Sequence, residues 1–219
     1  MAPQSTLEFI RDHTELGSPP LLPELRLHLS DDSIGLWQAT EEATGRGNLP
    51  PPFWAFCWPG SQALGRYLLD HPETVRGKRV LDFAAGCGAA GIAAARAGAA
   101  RVAANEIDPL AAGALLLNAR LNEVTLEILL EDLLDRPPAG WDLILAGDVC
   151  YEQPMSGRVA GWVRAAAATG TEVLLGDPGR AFLPLADLEE LARFTVPTSR
   201  DLEAQSERET VLYRVRGQG

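Results

Sequence analysis

Arg79-Val-Leu-Asp82-Phe-Ala84-Ala85-Gly86-Cys-Gly88-Ala-Ala-Gly91 is the stretch whose reading decides the fold. An apolar pair, Val80-Leu81, runs into a turn of small residues, and an alanine-rich segment then continues to Gly98 as a helix. The same alternation follows: strand Arg101–Asn105, helix Pro109–Asn122, strand Leu126–Leu130, strand Asp142–Ala146, helix Gly157–Ala168 and strand Thr171–Leu175. A helix near Leu185–Arg193 and a last strand, Thr210–Val215, complete the expected series. Strands alternating with helices define an α/β fold with a doubly wound, mostly parallel sheet and helices on both faces. In such sheets ligands bind beyond the carboxyl ends of the strands.

Upstream the pattern is less regular. Thr6–Glu15 suits a short helix, stopped by Gly17 and Pro19-Pro20. Glu24–Ser30 alternates in period two as a half-buried strand, with Ile34–Gln38 as its candidate partner, and Gly45–Pro52 is a loop. Ser61 is the expected N-cap of a helix through Leu64, Tyr67 and Leu68 that stops before Pro72. Residues 1–60 thus form an extension packed on a domain of residues 61–219. Most of the cluster Phe53, Trp54, Phe56 and Trp58 is expected to be core, with Trp58 alone near a ligand.

The chain has 219 residues, enough for one well-filled core. Its net charge of -11, from 30 acidic and 19 basic residues, provides no basic field for a phosphate backbone, which argues against nucleic acid as partner. Cys57, Cys87 and Cys150 have no close partner in sequence, and His13, His28 and His71 lack metal-ligand spacing, so no metal is expected. Met1–Gly17 carries acids and lacks the apolar run of a signal peptide, and no later segment has the roughly 18 apolar residues of a membrane span. A cytoplasmic monomer without membrane association is the expectation.

The chemistry is concentrated at the strand ends. Small residues in the Ala84–Gly88 turn let backbone approach a ligand at a helix N-terminus. Gly86-Cys-Gly88-Ala-Ala-Gly91 also fits the dinucleotide pattern G-x-G-x-x-G, with Glu106 at about the 20-residue distance that pattern requires. A nicotinamide-dependent oxidoreductase therefore stays open. Asp82 weighs against it, because a carboxylate there crowds a pyrophosphate but suits the cationic amino-acid part of S-adenosylmethionine. Glu106 can accept both ribose hydroxyls of either cofactor. In Leu143-Ile-Leu-Ala-Gly147-Asp148-Val-Cys-Tyr151-Glu152, Gly147 ends the strand on the cofactor side. Asp148 and Tyr151 then stand where an acceptor would enter: a carboxylate to accept from an amine and a phenol to orient it. The bland alternative is a turn-capping Asp82, a solvated Glu106, and a loop-start Asp148 followed by a packed tyrosine. Asp177 and Arg180, in Gly176-Asp-Pro-Gly-Arg180, either bind acceptor surface or form a tight turn.

With Asp82–Gly88, Asn105-Glu106-Ile107-Asp108-Pro109 and Asp148-x-x-Tyr151 in order, the chain resembles the Rossmann-like, seven-strand class I methyltransferases, in the branch with Asp-x-x-Tyr after strand four. PELRLHL, FWAFCWPGSQALGRYLLD, VRGKRVLDFAAGCG, ANEIDP, WDLILAGDVCYE and GDPGR further resemble the electron transfer flavoprotein beta subunit lysine methyltransferase family, from about Pro23 to Arg180. The resemblance implies S-adenosyl-L-methionine as cofactor and lysines of the flavoprotein beta subunit as acceptors. It implies that Trp58, Ala84, Ala85, Gly86, Gly88, Glu106, Asp132 and Leu133 hold the cofactor, and that Asp148 and Tyr151 serve the lysine; Trp58 and Leu133 rest on the resemblance alone. Ala84 departs from the usual turn, which has a glycine there, and its methyl group would tighten or reshape the methionine pocket. Another protein acceptor such as a ribosomal protein, a small amine, and a binding module without turnover are the competing readings.

Overall fold

The computed structural model describes residues 3–184, 186–198, 203 and 205–217. In chain order the elements are α1 (Pro3–Asp12), β1 (Glu15–Gly17), β2 (Leu27–Leu29), α2 (Ser33–Thr44), α3 (Pro59–Asp70), β3 (Arg79–Phe83), α4 (Ala89–Arg96), β4 (Arg101–Glu106) and α5 (Pro109–Leu121). They continue with β5 (Glu127–Leu130), β6 (Leu143–Gly147), α6 (Met155–Ala168), β7 (Glu172–Asp177), β8 (Leu188–Pro197) and β9 (Glu207–Val215).

Seven strands form one sheet in the order β5-β4-β3-β6-β7-β9-β8. β3 pairs in parallel with both β4 and β6, so strand order reverses beside it, and only β9 runs antiparallel to its two neighbours. The central strands are apolar almost throughout because both faces are covered. Phe83, Ile144 and Leu175 pack against Trp162 and Val163 of α6 on one face, while Val80, Leu145 and Leu174 pack against Leu64 and Leu68 of α3 on the other. The N-terminal segment builds further apolar clusters on the outer side of the helices: Ile10 and Trp54 meet Leu110 and Ala114 of α5, and Leu22, Leu25 and Leu27 meet Ile92 of α4. Among the described residues no helix is long and apolar enough to cross a membrane.

Four local expectations are corrected. Ile34–Gln38 is not a strand: Asp32 accepts from the Gly35 N–H at 2.8 Å and caps α2, and β2 pairs instead with β1. The first helix accordingly ends at Asp12, leaving Glu15 to the small sheet. Ser61 is not the cap of α3, which starts two residues earlier with Pro59 in its first turn. The segment expected to be a helix near Leu185–Arg193 is strand β8 from Leu188, Leu185 itself lying outside the described residues. Its Leu-Glu-Glu-Leu-Ala-Arg composition favours helix, but pairing with β9 from Leu188↔Val215 to Pro197↔Glu207 prevails over that preference, helped by the β-forming Phe194-Thr-Val196 end and a cross-strand Arg193–Glu209 ion pair.

Candidate active site

The rim is built where β3, β4, β6 and β7 end. After β3 the chain turns back through Ala84, Gly86 and Gly88, all at positive φ (51°, 56° and 82°). Gly86 has open space on the side a Cβ would occupy, whereas a Cβ on Gly88 would lie 2.6 Å from Leu115. The charged groups bonded to this turn and the helix after it are both acids. Glu106, at the end of β4, accepts from the Gly86 N–H at 2.7 Å and from the Ile107 N–H at 3.0 Å through its two oxygens. The Asp108 N–H also bonds this carboxylate, which still keeps acceptor capacity for a ligand hydroxyl. Asp82 is buried and accepts from the Gly91 N–H in the first turn of α4 at 2.7 Å. Burial pushes its pKa up to about 8, with the Glu106 charge adding to the rise and the Gly91 bond opposing it. Two acids with no cation paired to them among the described residues fit a positively charged, hydroxyl-bearing ligand and repel a pyrophosphate.

Further along the rim, Asp132 accepts from the Leu134 N–H at 2.9 Å and pairs with Arg158 at 3.2 Å, while Leu133 is buried against the sheet. Asn105 ties the rim together by donating to the carbonyls of Leu129 and Glu131 at 2.9 and 2.8 Å. Cys57 lies against Cys87 of the turn, both thiols free, bringing together two cysteines distant in sequence.

Asp148 follows β6 in the left-handed region, with φ of 55°. Asp tolerates that conformation better than most residues, and backbone held there is a frequent mark of a functional site. Its N–H extends the β6–β7 ladder to the Gly176 carbonyl at 2.9 Å. One carboxylate oxygen, Oδ2, accepts from the Gly60 N–H at 2.5 Å and so satisfies an orphan donor at the start of α3. The other, Oδ1, accepts from Arg180 Nε at 3.1 Å and Nη2 at 2.7 Å. The approach of α3 depends on the absence of side chains, since a Cβ on Gly60 would stand 2.2 Å from the Gly176 carbonyl oxygen and 2.5 Å from Asp148 Oδ2. Gly147, also at this contact, would place a Cβ 2.7 Å from the Ser61 hydroxyl oxygen. Burial pushes the Asp148 pKa up to about 6; Arg180 and Gly60 draw it down and the Asp177 charge raises it.

Tyr151 is 39% exposed, and its ring centre lies 5.5 Å from that of Phe53, which in turn lies 5.9 Å from Trp58. The indole of Trp58 donates to the Phe53 carbonyl at 2.9 Å, and the Arg180 guanidinium stands over it at 5.6 Å. Trp54 and Phe56 are core, in line with the expectation for most of this cluster, while Phe53 is 39% exposed in the aromatic wall. Asp177 is fully buried, and its Oδ1 accepts from the Gly179 and Arg180 N–H groups at 2.7 and 2.6 Å, making a tight turn that aims Arg180 at Asp148. The structure thus brings Trp58, Asp148, Tyr151 and Arg180 together, with Asp177 behind them, and Asp82, Ala84–Gly88 and Glu106 on the neighbouring strands. Reading the sequence missed Phe53, Gly60 and Glu203. The carboxylate of Glu203 grips Arg180 from the far side at 2.5 Å.

A seven-stranded sheet with one reversed strand, a small-residue turn after its central strand and an acid at the next strand end define a class I methyltransferase, which takes S-adenosylmethionine as methyl donor. Residues 63–147 match the family model described as Ribosomal protein L11 methyltransferase (PrmA). The magnesium protoporphyrin IX methyltransferase of Synechocystis PCC 6803, solved with bound S-adenosylmethionine, shares the fold at 19% identity and a TM-score of 0.53, over 72% of this chain and 79% of that one. The electron transfer flavoprotein beta subunit lysine methyltransferase of Xenopus laevis is 44% identical over 197 residues, covering 87% of this chain and 79% of the relative. That of Danio rerio is 41% identical over 198 residues, covering 87% and 76%. The chain belongs to the electron transfer flavoprotein beta subunit lysine methyltransferase family.

Proposed function

We propose that this methyltransferase transfers methyl groups to lysine side chains of the electron transfer flavoprotein beta subunit, acting as a cytoplasmic monomer on a protein partner, with neither nucleic acid nor membrane as partner. Residues 1–60 are read as an extension packed on a methyltransferase domain of residues 61–219. The observation that carries the reading is Asp148: a carboxylate at the sheet's carboxyl rim, fixed at one oxygen by Gly60 and offering the other to a cation beside an aromatic wall.

S-adenosylmethionine, when bound, supplies an electrophilic methyl group. The Ala84–Gly88 turn with Asp82, Glu106, Asp132, Leu133, Gly147 and Trp58 would hold it, Glu106 through the ribose hydroxyls and Asp82 through charge and by fixing the start of α4. On the acceptor side, free lysine has a pKa near 10.4, so the amine must lose a proton and present its lone pair in line. Asp148 accepts a hydrogen bond from the arriving ammonium and can take its proton, while Tyr151 and the rings of Phe53 and Trp58 form a π-rich wall that tolerates positive charge. Asp177 and Arg180 would contribute to acceptor binding from the loop after β7.

A ribosomal-protein acceptor is the second reading, favoured by the family model over residues 63–147. That range runs from within α3 to the end of β6 and stops just before Asp148, so it describes the cofactor half and leaves the acceptor unspecified. The test is methyl transfer from labelled S-adenosylmethionine to purified electron transfer flavoprotein, with Asp148→Ala as control and peptide mass mapping. Lysine label on the beta subunit that disappears in the variant is the expected result. Cofactor binding without label would discard this acceptor.

A further inference from the structure

Asp148, Asp177 and Glu203 place three carboxylates in one buried cluster against two guanidinium groups, those of Arg180 and Arg208. The side chains of Asp148 and Glu203 are 7% and 4% exposed, and Asp177 is fully buried. Arg208 lies 3.5 Å from Glu203 and acts electrostatically on Asp177. With all five ionised, one negative charge has no counterpart, and Asp177 Oδ2 is buried without a hydrogen-bond partner. Burying an uncompensated charge is costly, so the cluster is suited to receive one more cation.

Arg180 occupies the position such a cation would compete for. It bonds Asp148 Oδ1 through Nε and Nη2, while Nη1 and Nη2 reach the two oxygens of Glu203 at 3.2 and 2.5 Å. A single guanidinium is therefore shared by two anions. Glu203 also lines a cleft of about 250 Å³ together with Trp58, Pro59, Pro197 and Thr198. We propose that Glu203 is a positioning residue for the acceptor: it holds Arg180 in reserve, so that an arriving ammonium replaces Arg180 on Asp148 while the guanidinium stays paired. The proposal rests on the lysine-methyltransferase reading above.

Without the charge of Glu203, Arg180 has Asp148 as its stronger partner, and the acceptor must displace it with no compensating anion. Glu203→Gln is expected to raise the acceptor KM about tenfold, with kcat and the Kd for S-adenosylmethionine within about twofold of the parent, as loss of ground-state binding requires. A purely structural role would move kcat and cofactor affinity as well. A second arm leaves Glu203 intact and remains informative if E203Q does not fold: in Arg180→Ala, added methylguanidinium refills the vacated site and is expected to inhibit competitively against the acceptor, with the parent insensitive. An unchanged KM in folded E203Q, or methylguanidinium inhibition that is absent or non-competitive, overturns the proposal while the parent's activity upholds lysine methylation. A parent that methylates no lysine removes both readings.

Discussion

The proposed cofactor half and the proposed acceptor half of the rim are built by different means. The centre of the cofactor half is contiguous: Asp82 to Gly91 supply a strand end, a turn and a helix start, and Glu106 closes on them from the next strand, with Trp58, Asp132, Leu133 and Gly147 at the periphery. Around the acceptor, four separated segments converge, contributing Phe53 to Gly60, Asp148 to Tyr151, Asp177 to Arg180, and Glu203. The first half is centred on a local backbone shape to which acids are fixed; the second joins ion pairs and an aromatic wall drawn from segments distant in sequence. Changes in the second should therefore act on turnover and acceptor binding, and changes in the first on cofactor binding and local strain.

The largest expected separation of the halves comes from Asp148→Asn. It keeps the shape and an oxygen for Gly60 but removes the base, so kcat should fall by about 10³-fold, within the usual range for loss of a general base. Affinity for S-adenosylmethionine, measured by calorimetry, should change only slightly. A comparable loss of cofactor affinity would mean that the two halves share Asp148 and would collapse the distinction.

Glycines sharpen it next. A methyl group on Gly60 meets backbone and carboxylate oxygens that cannot retreat, so Gly60→Ala should cost about 3 kcal/mol of stability by overpacking, read from denaturant unfolding. Gly86→Ala meets open space and carries only the left-handed backbone penalty, about 1 kcal/mol, yet as part of the proposed cofactor turn it should weaken cofactor binding. Equal stability losses from the two would show that the α3 contact is looser than its geometry implies.

The acceptor half carries an acid sensitivity of its own, set by Asp148. In the proposed mechanism Asp148 must be ionised to receive the amine, and its pKa is raised to about 6, so its own contribution is full above that value and lost as pH falls through it. The acid limb of kcat/KM should thus fall by about tenfold per pH unit below about pH 6. Arg180→Met removes the cation that lowers this pKa and should move the limb upward. A limb unmoved by that change would assign it to another group.

Legibility followed the same division. The parallel sheet was readable because strands buried on both faces are continuous apolar runs, and the turn because small residues and Asp82 lie within a few positions of each other. Asp148 and Tyr151 were placed by strand-end position. The roles of Gly60 and Glu203 were not readable: a glycine after Trp-Pro gives no hint that a carboxylate 88 residues away will cap it, and Glu203 is one acid among 30. Strand β8 was misread because local helix preference is the weaker influence where a long antiparallel partner is available.

The smallest expected effect tests the cofactor half at its one departure from the usual turn. Ala84 sits at φ 51° with its side chain exposed, so it bears the left-handed penalty without packing in return. Ala84→Gly relieves that strain but gives the unfolded chain more freedom, and the difference should stabilise the fold by about 0.5 kcal/mol, a Tm rise of roughly 2 °C. Measured without cofactor, that gain reports the backbone alone. A larger gain with S-adenosylmethionine present would show that the methyl group also crowds the ligand, and a smaller one that it contributes favourable contact, so the pair of melts assigns the sign of the effect of Ala84 on the pocket.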